Sequence, residues 1–485
     1  EEMKVIVERI YAVLLQMLFL LYLEDRDILG PAYIHAHGNS EYDSLWALLK
    51  NTPKDFCKML HQLDRDLNGG LFTPDDLWEK YADLFADFLK GETNFANQQQ
   101  GRLFRLYRFD YIPVELLSEI YDRFFHAEQE KKMRGAYYTP RYLASLVVDQ
   151  VWDELRSSLD RGEIPTILDP ACGSGIFLAT LFQRIASHLP SPSWETLKNL
   201  AGQLHGLDID PTALRISAFS LSLALLNSRE PKELQERIEN EVKILPDLFG
   251  KTLLNCDFFD YSSPHVYSYI IGNPPWGTLS MEKGNTGEKW LKSQGNYPKS
   301  PNLERSWPFI WKGSKHISEN GNLAFLLPVT GFFLNDTSKC LQHALHYLRI
   351  ERLIDLSDLR HVLFKADSPT CILHATRSSE AQPHSFEYIC PKADINAVRS
   401  ERILLSVEDY HIVSAWSFAK DAKKHTQRAM WASPVARKLL AYIDTLPTLR
   451  DFPIRETKDA RKHVAKGERP DWGMGLGFQA YTGKG

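Results

Sequence analysis

The run IIGNPPWGTL at Ile270–Leu279 places an amide, two prolines and a large aromatic directly after a short apolar stretch. Proline has no N–H to give to a sheet ladder, so a strand entering this run must stop at Asn273. The stiff Pro274-Pro275 pair then holds Asn273 and Trp276 at its two ends. That arrangement suits an amine whose lone pair is delocalised into a ring, such as the exocyclic amine of adenine. Two acceptors on the hydrogens of such an amine pull its nitrogen toward tetrahedral geometry and free the lone pair. The Asn273 side-chain oxygen is one acceptor and the Pro274 carbonyl the other, aimed by the diproline. Catalysis of this kind is positioning with the electrostatics arranged in advance. Trp276 offers a flat face for the base, worth ~1–3 kcal/mol per stacked base. A base in a duplex must first be rotated out. Alone, Asn-Pro-Pro-Trp reads as a strand-end turn with a buried Trp; its catalytic reading depends on what lies upstream.

Upstream, DPACGSGIFL at Asp169–Leu178 has two glycines, Gly173 and Gly175, between a strand and a helix. Glycines there let the backbone approach a ligand closely. The dinucleotide fingerprint would place a third glycine where Leu178 stands. An acidic residue, Asp169, stands at the strand end instead, and a carboxylate at that rim repels phosphate but suits a cationic ligand. The next strand ends in GLDID, where Asp208 can accept two hydrogen bonds from a ribose diol. The third ends in CDFF, where Asp257 can accept from an adenine amine with Phe258 against the ring. These features describe a ligand with adenine, ribose and a positive centre but no phosphate, which S-adenosylmethionine fits. Each feature alone is equally a glycine-rich turn or a solvated aspartate; the ordered set carries the reading.

The elements that must position these residues alternate in type. Apolar strands are expected at Thr166–Pro170, Leu204–Asp210, Thr252–Phe259, Tyr267–Asn273 and Asn322–Pro328. Helical runs intervene, among them GIFLATLFQRIASHL, PTALRISAFSLSLALLN and a stretch near Trp307–Ser318. Such alternation predicts a parallel sheet with helices on both faces, whose ligands sit at the carboxyl ends of the strands. Residues 1–130 read as a helical N-terminal or connector domain, with a glycine stop at Gly91. Residues 131–378 read as the α/β domain, and 379–485 as a linker with a helix around Ser433–Asp444 and the beginning of a C-terminal or target-recognition domain. The chain opens on Glu rather than Met, and it is expected to be a piece of something longer.

Composition narrows the class. The 485 residues are 44% hydrophobic and 25% charged, values of ordinary globular domains, and their number calls for more than one unit. The net charge of −5 argues against a surface coated in basic charge, though not against a local basic groove. Six cysteines lie far apart with no C-x-x-C pair, so free thiols in a reducing cytosol are expected, with no zinc ribbon and no metal site. The longest apolar run, Ile10–Leu23, contains Gln16 and falls short of the ~20 residues a membrane span needs. A buried helix and a cytoplasmic location are expected.

The ordered motifs resemble those of the amino-methylating DNA methyltransferases of adenine-N6 type, with the cofactor region first and target recognition last. GAYYTP at Gly135–Pro140 resembles the family's segment that closes over the methionine part of the cofactor. DPACGSG, GLDIDPTAL, NCDFF and NPPW resemble its first four motifs, and HVLFKADSPTCILHATR at His361–Arg377 a later one that lines a flipped-base pocket. The match covers roughly 135–377, about half the chain. The resemblance implies a Rossmann-like, doubly wound methyltransferase sheet and S-adenosylmethionine as cofactor. It implies cofactor roles for Tyr138, Thr139, Asp169, Ala171, Gly173, Ser174, Gly175, Asp208, Ile209, Asp257, Phe258 and Asn273. It implies catalytic roles for Asn273, Pro274, Pro275 and Trp276, and a base-pocket role for Phe364. The aromatic of the fourth motif is most often Tyr or Phe, so Trp276 departs from the pattern while keeping a stacking face. The helical front, LLQMLFLLYLEDRDIL and DRDLNGGLF, resembles the connector of fused restriction–modification and phage-defence methylases. No nuclease pattern of paired acidic residues with E-x-K is found.

Double-stranded DNA is the expected partner, with further defence-system subunits or a fused nuclease beyond it, and no membrane. The long segment Thr278–Asn302 is rich in Gly, Asn, Ser and Lys and reads as a loop that orders on DNA. Its Lys283, Lys289, Lys292 and Lys299 would meet phosphates. Basic clusters at Lys420–Arg428 and at Arg461, Lys462, Lys466 and Arg469 have even claims to the duplex and to plain solvent. Two other readings stay open: methylation of a glutamine amide on a protein, which the same turn could activate, and a DNA-binding scaffold that holds the cofactor without using it.

Overall fold

The computed structural model describes residues 2–67, 75–91, 108–109, 139–240, 243–278, 280, 283–334, 337–360, 369–379, 382–394 and 403–447. Tyr138, Phe364, most of GAYYTP, the end of DRDLNGGLF and the cluster Arg461–Arg469 lie outside them. The chain forms two compact units, 1–423 and 424–485. In the second, the helix Pro434–Ile443 starts under a Ser433 cap, and Lys424 and Arg428 both pair with Asp444. All that follows concerns the first.

Among the described residues, nine strands form one sheet: β1 (Ile167–Asp169), β2 (Leu204–Asp208), β3 (Leu253–Asn255), β4 (Tyr267–Gly272), β5 (Ile317–Pro328), β6 (Leu348–Asp355), β7 (Thr370–Arg377), β8 (Ser385–Ile389) and β9 (Tyr410–Ser414). Their order across the sheet is β3-β2-β1-β4-β5-β7-β6-β8-β9. The first five run parallel. After β1 the chain moves outward through β2 and β3, then returns to the other side of β1 as β4. The β1/β4 boundary is therefore a topological switch point, where crevices open at the strands' carboxyl ends. Both the glycine loop after β1 and the Asn-Pro-Pro-Trp turn after β4 leave the sheet there.

The expected all-parallel sheet holds for β1–β5 and no further. β7 enters antiparallel between β5 and β6, and β9 runs antiparallel to β8. Thr370–Ala375 is buried at every position, and such a run fills the middle of a sheet whatever its direction. The strand rhythm also continues beyond 378, through β8 and β9.

The helical front packs against the cofactor half of the sheet. The helix Glu2–Asp25 lays Phe19 edge-on to Phe219, with centroids 4.8 Å apart, and its Tyr22 hydroxyl donates to Asn227. The helix Pro211–Asn227 is covered on all sides from Ile216 to Leu226. A helix apolar all round is a buried helix, and this one follows β2, whose Asp208 enters the site. One apolar core takes in Val13, Met17, Leu60, Leu178, Leu225 and Ile271. No described helix is long and apolar enough to cross a membrane.

The segment 278–302 is not the structureless loop expected. It holds a helix, Thr286–Gln294, in which the Asn285 side chain accepts from the Glu288 N–H at 3.0 Å and Gly295 ends the last turn at φ 74°. An Asn N-cap and a left-handed Gly after the last turn are ordinary helix limits, and NTGEKWLKSQG spells both.

Candidate active site

One cavity spans the carboxyl ends of β1 to β4. Of the residues singled out in the sequence, Ala171, Gly173, Ser174, Asp208, Ile209, Asp257, Phe258, Thr139, Asn273 and Pro275 line it. Asp169, Gly175, Pro274 and Trp276 do not.

The glycine loop is shaped by what lies behind it. Gly175 has φ 82°, and a Cβ there would come within 2.3 Å of the Ser217 hydroxyl, so the loop turns against the helix Pro211–Asn227 only as glycine. Asp208 accepts from the Gly173 N–H at 2.9 Å through one oxygen and from the Asp210 N–H at 2.8 Å through the other. The loop N–H that a phosphate would need is thus already taken by a carboxylate. Burial pushes the Asp208 carboxyl up to about 6, while those two N–H groups oppose the rise.

Asp169 does not stand at the rim. It is 1% exposed, and one oxygen accepts from the Ala171 N–H at 3.1 Å. The other has no hydrogen-bond partner among the described residues. Burial raises its carboxyl to about 8, which favours the neutral form at neutral pH. The cause is its strand: β1 is central among the five parallel strands, and its last side chain is covered by the loop and by the backbone of Gly272, where a Cβ would lie 2.5 Å from the carboxylate.

At the far end, Asp257 accepts from the Phe259 N–H at 2.9 Å and from the Thr286 hydroxyl at 2.7 Å. Phe258 is 2% exposed and stacks on Phe309 at 5.4 Å. Lys312 donates to the carbonyls of Phe258 and Tyr261 and so ties down the turn after β3. Ile209, by contrast, is 63% exposed, an apolar side chain held out beside the cavity.

The catalytic turn is tied on both sides. The Asn273 side-chain amide donates to the Thr139 hydroxyl at 3.0 Å. Trp276 is 3% exposed, sits in the core, and donates its indole N–H to the Leu326 carbonyl at 3.3 Å. It does not line the cavity: the large bicyclic ring reaches back to Leu326 of β5, where apolar burial holds it.

Sequence reasoning missed Gly284, Asn285, Thr286 and Gly287, which bring the helix Thr286–Gln294 to the cavity wall, and Arg305 and Phe309, which follow it. Their contribution arises from tertiary placement; only the Asn285 cap was visible locally. Lys283, Lys289, Lys292 and Lys299 are all exposed on or beside this segment.

The lining fits a cofactor of the kind expected. Asp208, Asp210 and Asp257 face one guanidinium, Arg305, which favours a ligand with positive charge over a pyrophosphate. The apolar Ile209, Phe258 and Phe259 beside these acceptors suit a flat ring carrying donors.

The type I restriction enzyme MjaIX methylase subunit of Methanocaldococcus jannaschii is 24% identical over 218 residues, which are 44% of this chain and 32% of that one. The type II methyltransferase M.CvrRI of Paramecium bursaria Chlorella virus XZ-6E is 24% identical over 209 residues, 42% of this chain and 40% of that one. This chain thus spans about a third to two-fifths of the length of these relatives. Among solved structures, the type IIL restriction-modification enzyme MmeI in complex with DNA aligns with 78% of this chain and 55% of its own, at 15% identity and TM-score 0.49. The fold assignment rests on the strand order given above. The family model of the N-6 DNA methylases matches residues 114–434, from before the glycine loop to beyond β9, and the chain belongs to that family.

Proposed function

We propose that this chain transfers a methyl group from S-adenosylmethionine to the N6 amine of an adenine flipped out of double-stranded DNA. We place it in the cytoplasm, within a restriction–modification or other anti-phage system, where further subunits or a fused nuclease act beside it. The observation that carries the reading is that Asn273, at the end of β4, lines the same cavity as Asp208 and Asp257, at the ends of β2 and β3. Acceptors for a nucleoside and an amide that can hold an amine therefore meet in one crevice.

In this reading Asp208 accepts the ribose hydroxyls, Asp257 accepts from the adenine amine of the cofactor, and Ile209 and Phe258 flank its ring. When bound, S-adenosylmethionine supplies a methyl group on a sulfonium, whose departure as a neutral thioether removes any need for a strong base. The Asn273 side-chain oxygen and the Pro274 carbonyl accept hydrogen bonds from the two N–H groups of the target amine and free its lone pair. Thr139 fixes the rotation of the Asn273 amide. The exposed Lys283, Lys289, Lys292 and Lys299 are assigned to contacts with phosphates. Phe364, which lies outside the described residues, is assigned to the base pocket on the motif alone.

The test is transfer of a labelled methyl group to duplex DNA, followed by nucleoside analysis. Label in N6-methyladenine is expected, and Asn273→Ala should abolish it while leaving cofactor binding near normal. Label in protein alone, or cofactor binding without transfer, would overturn the reading.

A further inference from the structure

The turn that carries Asn273 and the diproline ends in Gly277, which has φ 93°. Its backbone is held by residues 27 and 28 positions later. The Gly277 N–H donates to Glu304 Oε1 at 2.8 Å, and the Gly277 carbonyl accepts from the Arg305 N–H at 3.1 Å. Thr278 and Glu304 form an isolated antiparallel bridge between them. The chain therefore leaves the turn, makes the helix Thr286–Gln294, and returns to clamp the turn from which it left.

Glu304 is an unusual residue to find in that clamp. It is 5% exposed, and buried carboxylates are rare unless something holds them. Burial raises its carboxyl, opposed by N–H groups of Gly277, Ser306 and Arg305. Room for it is provided by a second residue: a Cβ on Gly331 would come within 2.5 Å of the Glu304 Cγ and 2.8 Å of Oε2. Gly331 is itself fixed, because its carbonyl accepts from the Trp307 indole at 2.9 Å. An aspartate would not span the gap that glutamate fills by its extra methylene, and an apolar residue would leave the Gly277 N–H without this acceptor.

We propose that Glu304 is a positioning residue for methyl transfer: its buried carboxylate fixes Gly277, and through the rigid prolines it sets the direction of the Pro274 carbonyl and the Asn273 amide. Gly331 is the partner that makes the position possible. The inference rests on the catalytic reading of Asn273 given above. Two rigid φ angles separate Asn273 from Trp276, so a shift at Gly277 passes back along the turn with little absorbed in between.

The test uses the whole chain with E304A, E304Q, G331A and the double variant E304A/G331A. Glutamine keeps an oxygen for the Gly277 N–H; alanine does not. Ala at 331 leaves the carboxylate in the protein but pushes it off Gly277. The expected loss in kcat on duplex DNA is ~10- to 100-fold for E304A and for G331A, the range for a small misplacement of a reacting group. E304Q should stay within about threefold of wild type, and the double variant should fall no lower than E304A, since both changes break one contact. Dissociation constants for S-adenosylhomocysteine should stay within about twofold, and amide exchange at Gly277 should quicken in E304A and G331A. Wild-type kcat in E304A, equal losses in E304A and E304Q, or unchanged exchange at Gly277 would each overturn the proposal. Absence of methyl transfer by the wild-type chain would instead defeat the catalytic reading, and the exchange measurement would still decide whether Glu304 holds the turn.

Discussion

The Asn273 amide donates to the Thr139 hydroxyl across 3.0 Å, joining residues 134 apart in the chain. With its nitrogen committed there, the amide keeps a single rotation and does not have to find its orientation during the reaction. Thr139→Val, which keeps the shape and removes the hydroxyl, should lower kcat roughly five- to tenfold, the rate equivalent of about 1 kcal/mol for one neutral hydrogen bond. Thr139→Ser should restore most of it. Single-turnover transfer to duplex DNA measures both, and equal rates for the Val and Ser variants would refute a role for the hydroxyl.

Trp276 behaves as a core residue that happens to follow the diproline. Truncation to Ala should destabilise the fold by about 3–5 kcal/mol, the usual loss for a large buried aromatic. Trp276→Phe keeps most of the apolar volume and loses the N–H to Leu326, so its penalty should be smaller, roughly 1–3 kcal/mol for an acceptor left buried. Thermal denaturation should therefore rank wild type above Phe and Phe above Ala. A Trp276→Ala protein with an unchanged Tm, but with loss of the fluorescence signal of 2-aminopurine flipped out of DNA, would return the ring to the role of stacking platform.

The contrast between these two residues explains how far the sequence could be read. The strand ends at Asp169, Asp208 and Gly272 were legible because each couples a short apolar run to a residue that breaks it. Asn273 followed, because a diproline admits no ladder and few alternatives. The side of the turn to which Trp276 points was not legible: local pattern sets where a ring is attached, while packing in the core beside Leu326 sets where it goes. Asp169 shows the same limit. Its type and position were plain, yet its burial depends on β1 being central, which only the sheet order reveals. The antiparallel β7 was hidden for the reason that makes it stable, since a run buried on both faces has no alternation to read. The helix Thr286–Gln294 was read as loop because Gly, Asn and Lys abound around it, although Asn285 and Gly295 bound it.

That helix makes cofactor, rather than DNA, the ligand expected to steady the segment. Thr286 donates to Asp257 at 2.7 Å, and Gly287 lies so close to Pro308 that a Cβ would approach within 2.8 Å. S-adenosylhomocysteine alone should slow proteolysis within 283–302, and Thr286→Val should remove much of that protection. Limited proteolysis followed by mass spectrometry reads the cut sites. Protection by DNA alone, with indifference to S-adenosylhomocysteine, would reverse this order of events.

Asp208 gives the cofactor site a pH dependence. Its carboxyl is held up to about 6 by burial, and the ionised form is the one that accepts from a ribose diol. Affinity for S-adenosylhomocysteine should therefore be level above pH ~7 and fall as pH drops through about 6, by at most ~10-fold per unit for one competing proton. Asp208→Asn should bind more weakly and lose that dependence. Calorimetric titration between pH 5 and 8 measures both curves, and parallel curves would show that another group governs the pH response.

Asp169 titrates in a way that affects the fold instead. Its ordinary value is 3.8 and burial raises it to about 8 in the native protein. Between those values the unfolded chain releases the proton and the native chain keeps it, so the unfolded state gains as pH rises. The contribution of Asp169 to stability is fully present below pH ~4, declines as pH rises through about 8, and is level above that. Asp169→Asn cannot ionise, yet it keeps an oxygen for the Ala171 N–H. The Tm of wild type relative to Asp169→Asn should therefore fall steadily from pH 5 to pH 8 and then stop changing. A difference in Tm that is constant across this range would mean that Asp169 is already ionised in the native protein. The site would then hold a buried charge next to Gly272, and the catalytic turn would begin beside an anion.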